Sequence, residues 1–393
     1  MSEWAIGKLG DIADIVMGQS PIGESVNSNG LGTPLLNGPT EFTIRYPEAV
    51  QFTADPKRFS QTNDILFCVR GSTTGRMNWA DENYAIGRGL AAIRHKEGKE
   101  YRYFVKAILD YYLDTMLASA SGSTFPNVSK DQLNELEISY PPLPEQKAIA
   151  SVLSSLDDKI DLLHRQNKTL EAMAETLFRQ WFIEEAREEL GDADLTQLIR
   201  LQSGYAFKSK DFQESGIFGV IKIKNISGNI IDIEQTDFVC DEVGLSTAQR
   251  FYVLSGQVLV AMTGAEIGKL GLVPKTSKKL LLNQRVGLLE PKFIGAQYLA
   301  YLHLKSEFGQ DYIENSATGS AQPNISGSLI EACPFPKVED SILQQYGKQV
   351  QIYFVKVKEN LGQIQTLEQL RDTLLPKLMS GEVRVQYQTE QIV

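Results

Sequence analysis

Cysteine and histidine are both scarce in this chain of 393 residues, which contains three of each. The cysteines form no CxxC pair, so neither a disulfide framework nor a cysteine zinc site is indicated, and we expect small buried hydrophobes. The histidines are too far apart along the chain to share a helix face, which disfavours histidine metal centres and Ser-His catalysis. The six residues are Cys68, Cys240, Cys333, His95, His164 and His303.

Long apolar runs are also missing. No stretch approaches the roughly 18 apolar residues that a membrane-spanning helix needs. The first residues lack the basic and then apolar pattern of a signal peptide. The composition, 42% hydrophobic and 22% charged, is that of a globular protein. We therefore expect a cytoplasmic protein with two or three domains. The net charge of −10, taken as a whole, counts against nucleic-acid binding.

The chain contains two copies of one unit. The segment GSTFPNVS (122–129) recurs as GSAQPNIS (319–326), and TLEAMAETL (169–177) recurs as TLEQLRDTL (366–374), both 197 residues later. Upstream the offset becomes 193, because two glycines with three residues between them in GSTTG recur in GAEIG. Each copy is thus a domain of variable sequence followed by a tail of fixed length, as expected for an internal duplication.

Each tail is predicted to be a long helix. Pro144 suits the first turn of the first helix, and Glu145 complements its positive end. Residues at coiled-coil spacing, called the seam below, then follow. The first seam is Ile149, Leu153, Leu156, Ile160, Leu163, Asn167, Leu170, Ala174 and Leu177. The second is Tyr346, Val350, Tyr353, Val357, Leu361, Ile364, Leu367, Leu370 and Leu374.

We expect the two helices to pair in an antiparallel manner about an approximate two-fold axis. The domains would then lie at opposite ends of a rod that sets the distance between them. The alternative is that each helix packs on its own domain. Asn167 either fixes the register as a buried polar residue or is partly solvated.

The domains have mixed composition. Strand-like runs such as DILFCV, FGVIKIKNI, QVLVAM and KLLLNQRVGLLE alternate with glycine and polar loops. Helical segments follow, YRYFVKAILDYYLDTML in one copy and AQYLAYLHLKSEFGQDYI in the other. The fold class predicted is α+β, with two similar domains separated by two long antiparallel coiled-coil helices. The domains span 1–140 and 191–337, and the helical regions span 141–190 and 338–393.

Basic residues are concentrated at matching places in the two copies. Segments 70–106 and 263–299 each carry a net charge of +4. This predicts phosphate contacts made by both domains, with base contacts that differ between them. For the charged segments the alternative is an ordinary solvated face. For the GSTTG and GAEIG loops the alternative is that the glycines serve only to form tight turns. The candidate DNA-contacting residues are Arg70, Ser72, Thr73, Thr74, Arg76, Arg88, Lys222, Lys224, Thr263, Lys269, Lys278 and Arg285.

Two other functions are compatible with parts of the sequence. Asp81, Glu97 and Lys99 are spaced as in many Mg²⁺-dependent nucleases. The second copy retains a Glu-Pro-Lys triplet at 290–292 but has Pro274 where Asp81 would align, so two strand-end salt-bridging residues are the simpler interpretation. The other function is a coiled-coil scaffold without a DNA role. TGAEIGKLG fails as a phosphate loop, because its glycines are too close and leucine follows the lysine.

The tails carry a specific resemblance. The segment PPLPEQKAIASVLSSLDDKIDLLHRQNKTLEAMAETLFRQWF (141–182) resembles the central conserved region of type I restriction-modification specificity (S) subunits, and 338–385 resembles the distal one. GKLGDIADIVMGQSP and the paired GSxxPNxS blocks are similar to the family's domain edges. KVEDSILQQY stands where the second copy would have LPEQ, which leaves the helix start there open.

The resemblance implies a non-catalytic chain with two target-recognition domains, each reading half of a split site in double-stranded DNA. It implies two methyltransferase (M) subunits and restriction (R) subunits as partners. No cofactor or metal is expected in this chain itself. S-adenosylmethionine, ATP and Mg²⁺ would belong to the partners.

Overall fold

The computed structural model describes residues 4–119, 126–184, 192–319 and 322–386. The chain divides into two compact units. The first comprises Met1–Asp161 and Leu367–Val393, and the second comprises Leu162–Thr366. Among the residues described, no helix is long and apolar enough to cross a membrane.

Two four-stranded sheets form the centre of the first unit. In order, the first sheet consists of Ala13–Met17, Leu90–His95, Ile65–Cys68 and Met77–Trp79, all antiparallel. The second consists of Val26–Asn27, Gln51–Thr53, Thr33–Leu36 and Ala85–Ile86, and its last pair is parallel. A separate antiparallel pair joins Ala5–Lys8 to Glu137–Tyr140. The shorter helices are Leu9–Ile12, Arg102–Tyr111, Leu113–Ser119 and Lys130–Asn134.

The second unit has two larger sheets, each of which contains a parallel pair of strands. One has six strands in the order Ile199–Ser203, Val286–Pro291, Val258–Ala261, Leu270–Leu272, Ile230–Ile231 and Ile226–Ser227. Another has five, Phe212–Gln213, Asp237–Val239, Phe218–Ile221, Lys279–Leu282 and Tyr252–Val253. Asp192–Asp194 pairs with Pro334–Pro336. The shorter helices are Asp241–Ser246, Ala296–Lys305, Glu307–Ser316 and Gly327–Glu331.

The short apolar runs of the sequence form strands whose residues are buried on both faces of the sheet. All four residues of Ile65–Cys68 are buried, as are those of Val258–Ala261, which is typical of strands covered on both faces. Each predicted helical segment is divided in two. In the second copy the break lies at Ser306, whose side chain accepts a hydrogen bond from the Gly309 amide and thereby caps a new helix.

The long helices are Leu143–Arg179 and Asp340–Met379. Both have an acidic residue in the first turn, Glu145 and Asp340, which complements the helix dipole. A π-helical segment, Gln180–Glu184, continues the first helix. Because the units divide within both helices, each helix contributes residues to both units.

The two helices run antiparallel within each unit. In the second unit Asn167 bonds Asn360, and Trp181 stacks on Tyr346 with ring centroids 4.0 Å apart. From Asn167 to Trp181 the first helix advances by 14 residues, and over the same distance the second helix goes back by 14 residues, from Asn360 to Tyr346. In the first unit Arg371 donates to Asp157 at 3.1 Å and Arg384 donates to Glu145 at 2.6 Å, so the direction is antiparallel there too.

Most predicted seam residues are buried or partly buried, but one is not. Leu370 is 45% exposed, so the seam prediction is wrong there, and the next residue, Arg371, reaches across to Asp157. Phe178 is more deeply buried than Leu177. The buried members are Ile149, Leu153, Ile160, Leu163, Asn167, Ala174, Val350, Val357, Leu361 and Ile364. The partly buried ones are Leu156, Leu170, Leu177, Tyr346, Tyr353, Leu367 and Leu374.

Candidate nucleic-acid interface

A tight loop joins strands Ile65–Cys68 and Met77–Trp79 in the first unit. Gly71 and Gly75 have φ angles of 87° and 94°, a region that side-chain-bearing residues avoid. The Gly75 amide donates to the Cys68 carbonyl at 2.8 Å, and the Thr74 amide donates to Gly71 at 3.2 Å. The glycines therefore fix the backbone of the loop.

The second unit repeats this loop. Gly264 and Gly268 have φ angles of 81° and 80°. The Gly268 amide donates to the Ala261 carbonyl at 2.9 Å, and the Ile267 amide donates to Gly264 at 3.1 Å. The same backbone arrangement, called the loop frame below, thus holds Ser-Thr-Thr in one copy and Ala-Glu-Ile in the other.

The PNxS part of the second repeated motif anchors each loop frame. In the first copy the Val128 amide donates to Val69 at 3.0 Å, and Asn127 forms a β-bridge with Arg70. The second copy makes the equivalent bond from Ile325 to Met262, and an equivalent bridge joins Asn324 to Thr263. The repeat therefore includes the tertiary support of the loop. Residues 122–125, 320 and 321 of the GSxxPNxS blocks lie outside the described residues.

Side chains that cap short helices follow each anchor. Ser129 accepts a hydrogen bond from the Gln132 amide, and Ser326 accepts one from Leu329. These caps explain the serine of the PNxS motif, because a serine at this position satisfies an amide that a helix start leaves unpaired.

Two arginines of the first loop are exposed. Arg70 and Arg76 form no salt bridge within the described residues, and Ser72 is also exposed. The hydroxyl of Thr74 faces the protein, 2.8 Å from the Gly71 carbonyl and 2.9 Å from that of Pro126. The Thr73 hydroxyl lies 3.4 Å from Cys68 Sγ. The arginines are thus free to contact phosphate, whereas the threonine hydroxyls stabilise the loop.

Arg88 lies on another loop of the first unit. Its side chain is exposed, and its Nε is 3.4 Å from Ser20 Oγ. The backbone amide of Arg88 also donates to this hydroxyl, at 3.3 Å. Arg88 is therefore positioned by Ser20 and keeps its charge exposed to solvent.

Several candidate lysines of the second unit already have carboxylate partners. Lys222 and Lys224 both contact Asp237 at 2.7 Å, and their charges lower the pKa of that carboxyl. The other two pairs are Lys278 with Glu234, at 2.6 Å, and Lys269 with Glu266. A phosphate would have to displace these partners, which is possible because exposed ion pairs contribute little stability.

Two further candidates of the second unit lie near or on its loop frame. Arg285 is exposed and forms no salt bridge within the part of the chain that the structure describes. Thr263 is half-buried, and its hydroxyl oxygen has no hydrogen-bond partner among the described residues. Arg285 is therefore the basic candidate of the second unit that has no carboxylate partner among the described residues.

Asp81 and the backbone of Glu97, among the nuclease candidates, have ordinary structural contacts. Asp81 accepts a hydrogen bond from the Tyr84 hydroxyl at 2.7 Å, and burial together with that carboxylate raises the pKa of Tyr84. The Glu97 amide donates to His95 Nδ1 at 3.0 Å. Within the described ranges, no group of three or more histidine, cysteine or acidic side chains could hold a metal ion.

A family model described as the type I restriction modification DNA specificity domain matches residues 1–172 and, a second time, 188–361. The chain belongs to this family. The identification from the tail motif and the paired GSxxPNxS blocks is thereby confirmed, and so is the internal duplication. Membership gives the chain a role in DNA specificity within a restriction-modification system and not in catalysis.

Individual relatives agree with this assignment. A putative type I restriction enzyme specificity subunit of Methanocaldococcus jannaschii, MjaX, is 36% identical over 43% of this chain and 40% of its own length. The MjaIX specificity subunit of that organism is 25% identical over 98% of this chain and 94% of its own. The crystal structure of an S subunit from M. genitalium covers 96% of both chains with a TM-score of 0.62 and 21% identity, which shows a shared fold.

Sequence reasoning missed several residues that hold the specificity chain together. Asn360 is fully buried against Asn167, and Phe354 is buried where Tyr353 had been chosen. Glu145 of the LPEQ segment is only 1% exposed and receives both Nε and Nη2 of Arg384, the latter at 2.6 Å. Spacing along the helix could have indicated Asn360, whereas nothing local connects Arg384 with Glu145.

Proposed function

We propose that residues 1–140 and 191–337 are two target-recognition domains, each reading one half of a split site in double-stranded DNA. The observation that carries the proposal is the loop frame, which occurs in both units with the same backbone hydrogen bonds and different side chains. A common frame suits common phosphate contacts, and different side chains suit different bases. The exposed arginines beside the frames supply the charge.

We further propose that the helical regions 141–190 and 338–393 recruit two methyltransferase subunits and, through the assembled complex, restriction subunits. The first long helix and its π-helical continuation expose four large apolar side chains, Leu143, Leu162, Met173 and Ile183, which supports contact with another protein. S-adenosylmethionine, ATP and Mg²⁺ would be bound by those partners. The complex would work in the cytoplasm, where its DNA lies.

The decisive experiment is methylation-site sequencing of a host that carries this chain with its cognate methyltransferase subunit. We expect one motif made of two short half-sites separated by a fixed gap. Exchange of residues 191–337 for those of a related chain should change one half-site and leave the other unchanged. The same host without this chain is the control. A continuous motif, or a change in both halves, would contradict the proposal.

A gel shift separates DNA recognition from a purely structural scaffold. The chain together with its methyltransferase subunit should retard a duplex that contains the motif found by sequencing. A duplex with the same base composition and a scrambled half-site is the matched control. Equal retardation of both duplexes, or of neither, would favour the scaffold.

A further inference from the structure

A buried amide pair interrupts the apolar contact between the two long helices in the second unit. Asn360 is fully buried and Asn167 is 6% exposed. The Asn360 Nδ2 donates to Asn167 Oδ1 at 2.9 Å. Asn167 Nδ2 and Asn360 Oδ1 have no hydrogen bond within the described residues. Asn360 Nδ2 also donates to Gln166 Oε1 at 3.4 Å, whereas the Asn167 side chain has its hydrogen bond among the described residues from Asn360.

The layer one turn away is apolar. The register set by the Asn167–Asn360 and Trp181–Tyr346 contacts places Leu163 opposite Ile364, and both are buried. In this part of the helix pair, polar therefore faces polar and apolar faces apolar.

Equivalent positions of the two helices do not carry the same residue types here. The offset of 197 relates Leu163 to Asn360 and Asn167 to Ile364. The first helix thus presents leucine and then asparagine, whereas the second presents asparagine and then isoleucine. The two helices are related by duplication but complementary at these two positions.

Pairing of like helices would lose this match. If the first helix met the first helix of another copy in the same register, Leu163 would face Asn167 twice. Two second helices would place Asn360 against Ile364 twice. Each mismatch would bury an amide without a partner, which weakens association roughly tenfold or more. A duplicated protein is exposed to such mispairing, because its two helices otherwise present similar apolar surfaces.

We propose that the Asn167–Asn360 pair selects the partner of each long helix, so that a first helix pairs with a second helix and not with the like helix of another copy. The selection comes from the cost of the wrong pairs more than from the strength of the right one. The proposal does not depend on DNA recognition.

A composition-preserving exchange tests it in the full-length chain. The double variant Leu163→Asn/Asn360→Leu keeps two asparagines but moves both to the first helix, so that like helices now match and unlike helices mismatch. The variant Asn167→Leu/Asn360→Leu makes all pairings apolar and is the control for folding. Two differently tagged copies are co-expressed, purified over both tags and quantified, and urea midpoints are measured.

We expect at least roughly ten times more doubly tagged complex from the exchange variant than from the wild type, or, if it stays monomeric, a clearly lower urea midpoint. The apolar control should be at least as stable as the wild type, while Asn167→Leu alone should be less stable. If the exchange variant is insoluble, the single variant decides through its midpoint. A monomeric exchange variant with the wild-type midpoint, or additive effects of the two Asn→Leu changes, would overturn the proposal.

Discussion

His303 is a buried, uncharged histidine in the second unit. Its Nε2 lies 2.8 Å from the Pro334 carbonyl and donates to it, and the Phe335 ring packs edge-on at 5.1 Å. Burial among these groups lowers its pKa to about 4. The imidazole therefore acts as an apolar ring with one hydrogen-bond donor.

This burial predicts a pH-dependent stability. Between pH 6.5 and about 4 the unfolded chain binds a proton at His303 that the native chain does not. The stabilisation is therefore complete above pH 6.5 and decreases as the pH falls through this window, by about 3 kcal/mol. His303→Gln should flatten the dependence of the urea midpoint on pH. Near pH 8 the difference between the urea midpoints of the two proteins should not change with pH. If the midpoints of both proteins fell equally steeply with decreasing pH below 6.5, the assignment would be contradicted.

The glycines of the loop frame predict a graded loss of stability. Gly71→Ala meets open space but must hold a φ of 87°, which costs about 1–2 kcal/mol. Gly75→Ala has a similar φ, and its new methyl group would lie 2.6 Å from Leu113 Cδ1, so we expect a larger loss. Thermal unfolding of both variants measures the difference. Ser72→Ala, between them, is the control and should leave the melting temperature nearly unchanged.

The long helices show how far sequence spacing can be trusted. Their extent and most buried positions followed from apolar residues at intervals of three and four, and their antiparallel direction followed from the duplication. The choice of Leu361 and Leu370 favoured apolar character over spacing. Strict alternation from Tyr346 leads instead to Asn360 and Arg371, the two residues that cross to the other helix. A polar residue at a seam position can be assigned to the helix contact only when its partner on the other helix is known.

Helix length should set the distance between the two half-sites of the DNA. Each helix is continuous and has residues in both units. Deletion of one heptad from each tail removes about 10 Å, so we expect the gap to shorten by about three base pairs. Methylation-site sequencing of the variant measures the gap. A substituted chain of unchanged length, such as Lys168→Ala at an exposed position of the first helix, is the control, and an unchanged gap after the deletion would refute the idea.

At the scale of the whole molecule, charge placement matters more than total charge. The chain is acidic overall, yet its two matched segments each carry +4. The sequence could predict this excess but not which cations remain free, because Asp237 is 13 and 15 residues from the lysines that it binds. Glu234 and Lys278 are even farther apart in sequence. Ion pairs between residues so far apart in sequence cannot be predicted from local sequence, and only the folded structure identifies them.

This difference predicts unequal effects on DNA affinity. Arg70, Arg76 and Arg285 are exposed without salt bridges among the described residues, and their replacement by alanine should weaken binding and reduce the salt dependence by up to roughly 0.9 per lost phosphate contact. Lys222→Ala/Lys224→Ala is the matched comparison and should change affinity less. Titrations at several salt concentrations provide the slopes. Equal slopes for the wild type and the arginine variant would remove these residues from the interface.

The loop frame has a consequence for how new specificities arise. Its backbone is fixed mainly by two glycines and by the PNxS anchor, and the two copies show that different side chains between the glycines fit the same conformation. A mutation that removes the Thr74 hydrogen bonds weakens the first loop but leaves the glycines and the anchor in place. If the loop frame contacts bases as proposed, a population of such chains could explore new DNA targets through single substitutions while the supporting backbone was retained.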